Sequence, residues 1–431
     1  MSFYITTPIY YVNDLPHIGH AYTTIACDIL ARFQKLNGEN VFFLTGTDEH
    51  GQKVEKAAIN NSTNPKQFVD KMFINFKNLI PTLGCDIDDF IRTTDDRHIK
   101  SAQYLWNILK KNNQIYLSNY EGWYSVRDEA FYSESELTKK EDKFIAPTGA
   151  SVEWVKEESY FFKLSEWQDK LIKYYEENPD SIKPNSRYNE VLSFIKSGLR
   201  DLSISRTTFD WGIQVPDDNK HVMYVWIDAL CNYITALEYP SVDKIKFKQF
   251  WPGIHIVGKD ILRFHAVYWP AFLMAADLEP PKKIYAHGWW TNEGEKISKS
   301  LGNVINPHEI IEKYGLDQMR YFLFSEVPFG NDGDFSKNAI SQRVNADLSN
   351  NYGNLIQRIA TFIVKNSNSK ISHTSEFNEA DNKLFNIFKL NFKEYKKHML
   401  NFQIDRALKS VLFILSATNA YVDTQEPWVL N

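Results

Sequence analysis

The chain has 431 residues, of which 43% are hydrophobic and 24% are charged, and its formal net charge is −5. These values are typical of a globular protein and argue against a surface coated with basic residues for nucleic acid. The charge is uneven, because residues 340–431 hold 11 Lys and Arg against 8 Asp and Glu. We therefore expect any nucleic-acid contact in that segment or in a local groove, although a solvated helical face explains the excess equally well.

The cysteines and the hydrophobic runs indicate where the protein works. Cys27, Cys85 and Cys231 lie far apart, and no pair has the C-x-x-C spacing of a zinc site. Such usage is typical of a reducing compartment. No apolar run approaches the roughly 20 residues that span a bilayer. We therefore expect a cytoplasmic protein with no membrane segment.

The first fifty residues predict a strand, a helix and a second strand. Residues 3–7 favour a strand, and apolar residues at spacings of three and four predict a helix from about His20. Gly38 stands where a glycine often ends a helix. The apolar run 41–44 is typical of a buried parallel strand. Polar residues 46–51 then follow at the carboxyl end of that strand, the edge at which open α/β sheets bind ligands.

The rest of the chain predicts an interrupted sheet followed by helices. From about residue 116 to residue 215, aromatic and polar positions alternate, which is typical of an inserted domain. Strands are predicted to resume at His221–Ile227, at 254–257 and at 284–286. Beyond residue 341 the apolar residues follow a 3.6 period, which predicts a helical bundle. The predicted fold class is α/β, a split Rossmann-like parallel sheet with an inserted connective α+β domain, followed by an α-helical bundle.

The first candidate motif is His17-x-Gly19-His20, between the first strand and the first helix. Helix N-termini present backbone N–H groups that suit phosphate, and histidines there can donate hydrogen bonds to phosphate oxygens as charge builds in a transition state. Gly19 would let adenine or ribose approach the backbone. Taken alone, two capping or surface histidines explain the pattern better.

The second candidate motif is the run KISKS at residues 296–300, bounded by glycines. Lysines that flank hydroxyl groups on such a loop would clamp the β- and γ-phosphates of ATP. An ordinary basic turn explains the pentapeptide alone better. The two motifs reinforce each other, because each stands at a strand-to-helix junction. Their conjunction predicts activation of a small carboxylic acid by ATP.

With several longer segments, the two motifs resemble the class I aminoacyl-tRNA synthetases and, more narrowly, the methionyl-tRNA synthetase family. These segments are Thr7–Tyr11, Gly46–Gly51, Tyr224–Ala229, Gly258–Asp260 and Ala286–Trp289. The resemblance runs through nearly the whole chain. The longer segments separate the chain from the isoleucyl, leucyl, valyl and cysteinyl relatives, of which the first three also carry a large editing insertion.

The resemblance implies a role for each matching residue. The catalytic residues would be His17, His20, Lys296 and Lys299. ATP would be bound by His17, Gly19, His20, Gly258, Asp260, Lys296, Ser298, Lys299 and Ser300. Methionine would be bound by Ile9, Tyr11, Asp48, Trp226, Ala229, Leu230, Tyr233 and His287. Asp48 would pair with the substrate ammonium and Asp260 with the ribose hydroxyls, although a turn-capping and a helix-capping aspartate are the ordinary alternatives.

The implied reaction has two steps. The carboxylate of L-methionine attacks the α-phosphate of ATP, which releases pyrophosphate and leaves methionyl-adenylate, and a terminal ribose hydroxyl of tRNA then attacks the activated carbonyl. Positioning and charge stabilisation would suffice, with Mg²⁺ on the phosphates of ATP. The implied partners are L-methionine, ATP, and the initiator and elongator tRNAs for methionine, with the enzyme acting as a monomer.

The resemblance also implies that Asn354, Arg358 and Trp428 read the anticodon. An amide and a guanidinium can bind base edges, and an indole offers a stacking face. A polar pair on a helix surface and a core tryptophan are the ordinary alternatives. The predicted domain bounds are 1–115 and 219–290 for the two catalytic halves, 116–218 for the connective domain, 291–340 for the lysine loop and stem-contact segment, and 341–431 for a truncated anticodon-binding domain.

The chain departs from the family pattern at two places. Many members bind zinc through cysteines of the connective domain, but residues 122–162 contain none, so no metal site is expected. Ile297 replaces the commonest methionine of the lysine motif, a change that conserves volume. A small nucleotidyltransferase and a catalytically silent RNA-binding paralogue remain as alternative functions.

Overall fold

The computed structural model describes residues 2–127, 130–132, 134–140, 143–297, 302–371 and 376–429. The chain forms two compact units. The first unit contains Met1–Pro16 and Thr23–Ala286, and the second contains His17–Tyr22 and His287–Asn431. Among the described residues, no helix is both long enough and apolar enough to cross a membrane.

The secondary structure up to Ala286 mixes strands and helices. The strands are β1 Ser2–Thr6, β2 Tyr10–Tyr11, β3 Asn40–Asp48, β4 Asp89–Arg92, β5 Ile115–Ser125, β6 Ala130–Tyr132, β7 Thr138–Lys140, β8 Lys143–Ile145, β9 Glu153–Phe162, β10 Ile182–Lys183, β11 Leu202–Ser203, β12 Ser205–Arg206, β13 Gln214–Val215, β14 Asp218–Met223, β15 Ile254–Gly258 and β16 Lys283–His287. The helices are α1 Ile18–Leu36, α2 Gln52–Asn60, α3 Pro65–Thr82, α4 Asp96–Lys111, α5 Gln168–Glu177, α6 Asn185–Lys196, α7 Val225–Thr235, α8 Ile245–Phe250 and α9 Trp269–Ala275.

A parallel sheet organises the first unit. Its strand order is β10-β16-β15-β1-β3-β2, and β4 also pairs with β3. β1 pairs in parallel with β3 and β15, and β3 pairs in parallel with β2 and β4. Because these strands point the same way, the chain leaves them at one edge, after Thr6, Asp48, Arg92 and Gly258. Ligands of open α/β sheets bind at such a carboxyl edge.

The chain segment between two strands of the parallel sheet, β4 and β15, forms an antiparallel sheet. It has the order β11-β9-β5-β6, and β5 pairs with β9 along its length. The predicted fold class is therefore confirmed, including the α+β insertion. One short strand inside the predicted connective range, β10, pairs in parallel with β16. The five-part domain division stays a prediction.

The predicted strand His221–Ile227 is confirmed only as far as Met223. The strand β14 ends at Met223, and α7 begins two residues later at Val225. β14 pairs with β12 and β13 in an antiparallel sheet of its own. The error has a physical cause, because a short apolar run predicts a buried strand and a buried helix equally well, and α7 is buried along nearly its whole length.

Local sequence explains where individual helices begin and end. α1 follows the predicted spacing, and Gly38 after it has a φ of 81°, which a glycine adopts without strain. Asn64 caps α3, because its side chain accepts a hydrogen bond from the backbone N–H of Gln67, and Pro65 occupies the first helical position. The core of the unit packs helices and sheet around fully buried side chains such as Trp106 and Trp269.

The second unit combines a small sheet with helices. Its strands are β17 Trp290–Asn292, β18 Glu295–Lys296 and β19 Gly333–Phe335, and its helices are α10 Pro307–Tyr314, α11 Leu316–Ser325, α12 Lys337–Arg343, α13 Asn354–Asn366, α14 Glu379–Leu400 and α15 Ile404–Gln425. A π-helical stretch, Val344–Gly353, joins α12 to α13. The predicted helical character beyond residue 341 is confirmed, and α14 begins with a capping box formed by Asn378 and Asp381.

Candidate active site

Asp48 ends β3 at the carboxyl edge of the parallel sheet. Its side chain is buried, and β2 runs beside it with Tyr11 as its backbone partner in the register. Ile9 and Tyr11 pack against the core cluster that also contains Leu230 and Tyr233. Ile9 and Tyr11 therefore share a core cluster with residues about two hundred positions later in the sequence.

The residue after Asp48 fixes the loop in place. The buried carboxylate of Glu49 accepts two hydrogen bonds from Arg92, at 2.7 and 2.9 Å. It also accepts hydrogen bonds from the hydroxyls of Thr47 and Thr94. Bidentate, charge-assisted bonds of this kind are geometrically strict. Since Glu49 follows Asp48 directly, the network restricts where the Asp48 carboxylate can lie.

Helix α7 carries four of the residues predicted to bind methionine. Ala229, Leu230 and Tyr233 are almost fully buried, and Trp226 packs against the same core cluster. The hydroxyl of Tyr4 on β1 donates a 2.7 Å hydrogen bond to the carbonyl of Tyr233. This bond ties α7 to the central strand of the sheet.

His265 contacts Tyr233 although the sequence analysis did not select it. Its Nδ1 lies 2.9 Å from the carbonyl of Ile261, so Nδ1 carries the proton and Nε2 accepts. The hydroxyl of Tyr233 must then donate the 2.6 Å hydrogen bond to Nε2. Burial lowers the pKa of His265 to about 4 and raises that of the Tyr233 hydroxyl. Both side chains are therefore uncharged at neutral pH.

Phe264 is a second residue that the sequence analysis missed. Its ring stacks on Trp226 with centroids 3.7 Å apart and planes 7° apart. Phe264 and His265 stand in a π-helical stretch, Phe264–Tyr268, directly before α9. Such stretches are rare and often occur at functional sites. The signal available in the sequence was proximity to Gly258 and Asp260, which precede this stretch by a few residues.

Gly258 and Asp260, which were predicted to bind ATP, lie at the carboxyl edge of the parallel sheet. Gly258 ends β15, and Asp260 lies in a single 3₁₀ turn directly after it, exposed to solvent. A carboxylate at the carboxyl edge of a parallel sheet is well placed to accept from ribose hydroxyls.

In the second unit, His17 and His20 stand at the start of α1 with ring centroids 3.9 Å apart. Nδ1 of His20 accepts from the backbone N–H of His17, and Nδ1 of His17 accepts from that of Gly19. In a neutral ring the proton therefore sits on Nε2, and both histidines present an N–H donor there. A Cβ on Gly19 would lie 2.9 Å from the ring of His17, so a glycine is needed to keep this arrangement.

The base of the lysine loop is also described. β17 and β18 pair through Thr291 and Lys296. The side chain of Asn303 donates to the carbonyl of Lys296, and that of Asn292 donates to the carbonyl of Asn303. Nζ of Lys296 lies 5.6 Å from the ring centre of Trp289. Ser298, Lys299 and Ser300 lie outside the described residues.

His287, which the sequence analysis placed beside methionine, falls in the second unit. It is buried there against Tyr22 and Phe329, and its Nδ1 donates to the carbonyl of Gly288. Its methionine-binding role stays a prediction, whereas His255 and His265 both contact Tyr233.

The predicted anticodon residues lie in the helical part of the second unit. Asn354 and Arg358 are one turn apart on α13, and Asn354 is exposed. Arg358 pairs with Asp423 on α15, and its guanidinium lies 5.6 Å from the ring centre of Trp428. Trp428 is 49% exposed. The structure therefore brings Arg358 and Trp428 together and leaves the indole accessible.

Comparison with known proteins adds the family. The model of the class I tRNA synthetases (M) matches residues 3–360. The chain is 56% identical over 435 residues to the methionine–tRNA ligase of Rickettsia bellii, covering all of this chain and 84% of that protein. It is 52% identical over 431 residues to the methionine–tRNA ligase of Brucella melitensis, again covering all of this chain and 84% of that protein.

Solved structures agree with the sequence relatives. Mycobacterium tuberculosis methionyl-tRNA synthetase in complex with methionyl-adenylate superposes with a TM-score of 0.98 at 46% identity, covering all of this chain and 85% of that chain. The apo form of the same protein superposes with a TM-score of 0.89, at 43% identity, covering all of this chain and 82% of that chain.

Proposed function

The chain belongs to the methionine family of class I tRNA synthetases, and from this premise we infer how its residues perform the reaction. The enzyme activates L-methionine with ATP to methionyl-adenylate, releases pyrophosphate, and transfers methionine to the 3′ end of tRNA. The observation that carries this conclusion is the 56% identity to a methionine–tRNA ligase over the full chain. A small nucleotidyltransferase is excluded by the same match.

Methionine is bound by residues of the first unit in this proposal. The Asp48 carboxylate pairs with the substrate ammonium, which sets the orientation of the amino acid. Uncharged, aromatic side chains suit a polarizable thioether. We therefore add Phe264 and His265 to the proposed methionine-binding set, because they contact Trp226 and Tyr233 directly.

In this proposal, residues of the second unit bind the phosphates of ATP. His17 and His20 donate Nε2–H to phosphate oxygens, where charge builds as the α-phosphate is attacked. Lys296 and Lys299 neutralise the departing pyrophosphate, and Ser298 and Ser300 flank them. Mg²⁺ enters as part of the ATP substrate complex. No side chain forms a covalent bond to the substrate.

The remaining assignments follow the family. Asp260 accepts from the ribose, and Asn354, Arg358 and Trp428 read the anticodon of initiator and elongator tRNAs. We propose a zinc-free enzyme that acts as a monomer in the cytoplasm. We also propose the five-part division, with 116–218 as the connective domain. Metal analysis that finds stoichiometric zinc would contradict the zinc-free assignment.

Methionine-dependent exchange of pyrophosphate into ATP tests the proposal. We expect exchange with methionine and not with other amino acids, and Lys299→Ala should lose most of it while binding methionine normally. Lys365→Ala, an exposed lysine on α13, is the matched control and should retain full exchange. Absence of exchange in the wild-type protein would favour the catalytically silent paralogue.

A further inference from the structure

Asp228 is a fully buried carboxylate between two histidines. Its Oδ2 lies 2.7 Å from Nδ1 of His50, and its Oδ1 lies 2.7 Å from Nε2 of His98. Asp228 and His98 are 0% exposed, and His50 is 5% exposed. Each imidazole donates one N–H to a separate carboxylate oxygen. We call these three residues the Asp228 clamp.

The clamp is strongly held. Burial alone would raise the pKa of Asp228, but the hydrogen bonds and charge of His50 and His98 lower it to about 2. The carboxylate is therefore ionised, and an ionised group without water must keep its partners. Removing one partner of such a buried set leaves unsatisfied groups that are expensive in low dielectric. The geometry is thus kept at any pH near neutrality.

The clamp connects helix α7, the loop after β3 and helix α4. The first two of these carry residues that we assign to methionine binding. Asp228 lies on α7 between Trp226 and Ala229, while His50 follows Asp48 by two positions after β3. His98 belongs to α4, whose remaining buried face packs in the core. Through the hydrogen bond between His50 and Asp228, the clamp connects the loop that carries Asp48 to the helix that carries Trp226.

The opposite sides of both histidines are also held. The ring of His50 packs edge-on against Trp211 at 5.4 Å, and the indole N–H of Trp211 donates to the carbonyl of Glu49. Nδ1 of His98 lies 3.4 Å from the hydroxyl of Thr235 at the end of α7. Neither imidazole is therefore able to swing away from Asp228 without breaking a second contact.

We propose that Asp228 is a positioning residue for methionine, which acts through His50 and His98 to fix Asp48 relative to Trp226. Methionine needs both ends of this arrangement, since its ammonium is assigned to Asp48 and its thioether to the aromatic residues of α7. ATP needs neither. The inference rests on the proposed function, because it concerns methionine binding by that same set of residues.

The Asp228→Asn variant tests the inference. An amide accepts through one oxygen only, so one histidine loses its acceptor while the volume is unchanged. In pyrophosphate exchange we expect the KM for methionine to rise at least tenfold, the KM for ATP to stay within twofold, and kcat to change less than the KM for methionine. His98→Gln should shift the same constant in the same direction, although His98 is assigned no contact with substrate.

A matched control separates positioning from general loss of stability. Asp28→Asn removes another buried aspartate, which pairs with Arg32 and accepts from the backbone N–H of Asp86. It should lower the thermal midpoint without raising the KM for methionine. If Asp228→Asn behaves like Asp28→Asn, with a lowered midpoint and a KM for methionine within twofold of wild type, the residue is merely structural and the inference is overturned.

A double-mutant cycle shows whether Asp228 acts through His50. The effects of His50→Gln and Asp228→Asn on the KM for methionine should not add, because both disturb the same His50–Asp228 pair. The double variant should resemble the worse single variant. Effects that multiply in full would refute action through His50. Wild-type exchange is measured beside them, so that failure of the proposed function, with no exchange at all, is distinct from failure of this inference.

Discussion

Burial controls the charge of the side chains around the proposed methionine site. The hydroxyl of Tyr233 and the imidazole of His265 are both kept neutral by burial, while Asp228 is kept ionised by its histidines. An uncharged lining suits a thioether, which carries no charge and accepts hydrogen bonds only weakly. In the proposed site, the carboxylate assigned to the substrate ammonium is that of Asp48.

The neutral His265 predicts a stability that falls in mild acid. Its folded pKa of about 4 is below the ordinary value near 6.5, so the unfolded chain binds the proton more tightly between these values. Stability is therefore full above about pH 6.5 and is lost as the pH falls toward 4, by roughly 1.4 kcal/mol per pH unit. Urea unfolding followed by tryptophan fluorescence at pH 7 and pH 5 measures the loss.

The His265→Asn variant is the control for this pH dependence. It should be less stable at pH 7 and should lose less stability between pH 7 and pH 5 than the wild type. His255, whose pKa burial also lowers, contributes in the same direction and remains in the variant. Asp228 titrates only below pH 4 and does not enter this window. An equal loss in wild type and variant would contradict the assignment to His265.

At the scale of elements, the close approach of β3 to β4 places Asp48. A Cβ on Gly46 would lie 2.1 Å from the carbonyl oxygen of Ile91, and backbone cannot yield as a flexible side chain would. We predict that Gly46→Ala destabilises the protein by about 2 kcal/mol or more and raises the KM for methionine, because Asp48 stands two residues further on. Chemical unfolding and pyrophosphate exchange measure the two effects.

Gly38→Ala is the comparison for Gly46→Ala. A Cβ at Gly38 meets nothing within 4 Å, and only its φ of 81° is unfavourable. It should cost about 1 kcal/mol and leave the KM for methionine unchanged. Equal effects of the two variants would show that strand spacing at Gly46 does not matter.

The hydrogen bonds at the base of the lysine loop are expected to affect kcat without affecting the KM for methionine. Asn303→Ala removes the bond to the carbonyl of Lys296, so the loop loses a fixed base. We expect kcat for pyrophosphate exchange to fall about tenfold, a modest share of what correct positioning contributes, with the KM for methionine unchanged. Asn391→Ala removes a comparable bond on α14 and should leave exchange intact. A normal kcat in Asn303→Ala would show that the loop needs no such anchor.

These elements also show what sequence can and cannot predict. The strand–helix–strand start and the C-terminal helices were predicted because periodicity is a local property. The strand predicted at His221–Ile227 extended too far, because a short apolar run carries no period that would separate the end of β14 from the start of α7. Asp228 was missed because its partners His50 and His98 lie 178 and 130 positions away. His265 was missed for the same reason, since its importance depends on its contact with Tyr233.

At the scale of the whole molecule, the net charge differs between the C-terminal helical part and the rest of the chain. Residues 340–431 carry a net charge of +3, whereas the remainder carries −8. Phosphate repulsion makes the acidic remainder a poor general surface for tRNA. The helical part is then the better surface for RNA, and the residues to which we assign the activation of methionine lie outside it. Binding of the anticodon and activation of methionine should therefore respond to different substitutions.

Trp428→Leu tests this division. The exposed indole beside Arg358 offers a stacking face, and loss of base stacking on an aromatic ring is worth about 1–3 kcal/mol. We expect the KM for tRNA in aminoacylation to rise about 10- to 100-fold while pyrophosphate exchange stays at the wild-type rate. Trp154→Leu, an equally exposed tryptophan of the first unit, is the matched control and should change neither.

Anticodon-variant tRNAs make the same test specific to Arg358. The guanidinium is held between Asp423 and Trp428, so it is oriented before RNA arrives. The double variant Asn354→Ala, Arg358→Ala should charge cognate and anticodon-variant tRNAs with more similar efficiency than the wild type does, because base-edge contacts carry the discrimination. Its exchange rate should be unchanged. Undiminished discrimination would move anticodon reading to other residues, and reduced exchange would show that the two functions are not divided along the chain.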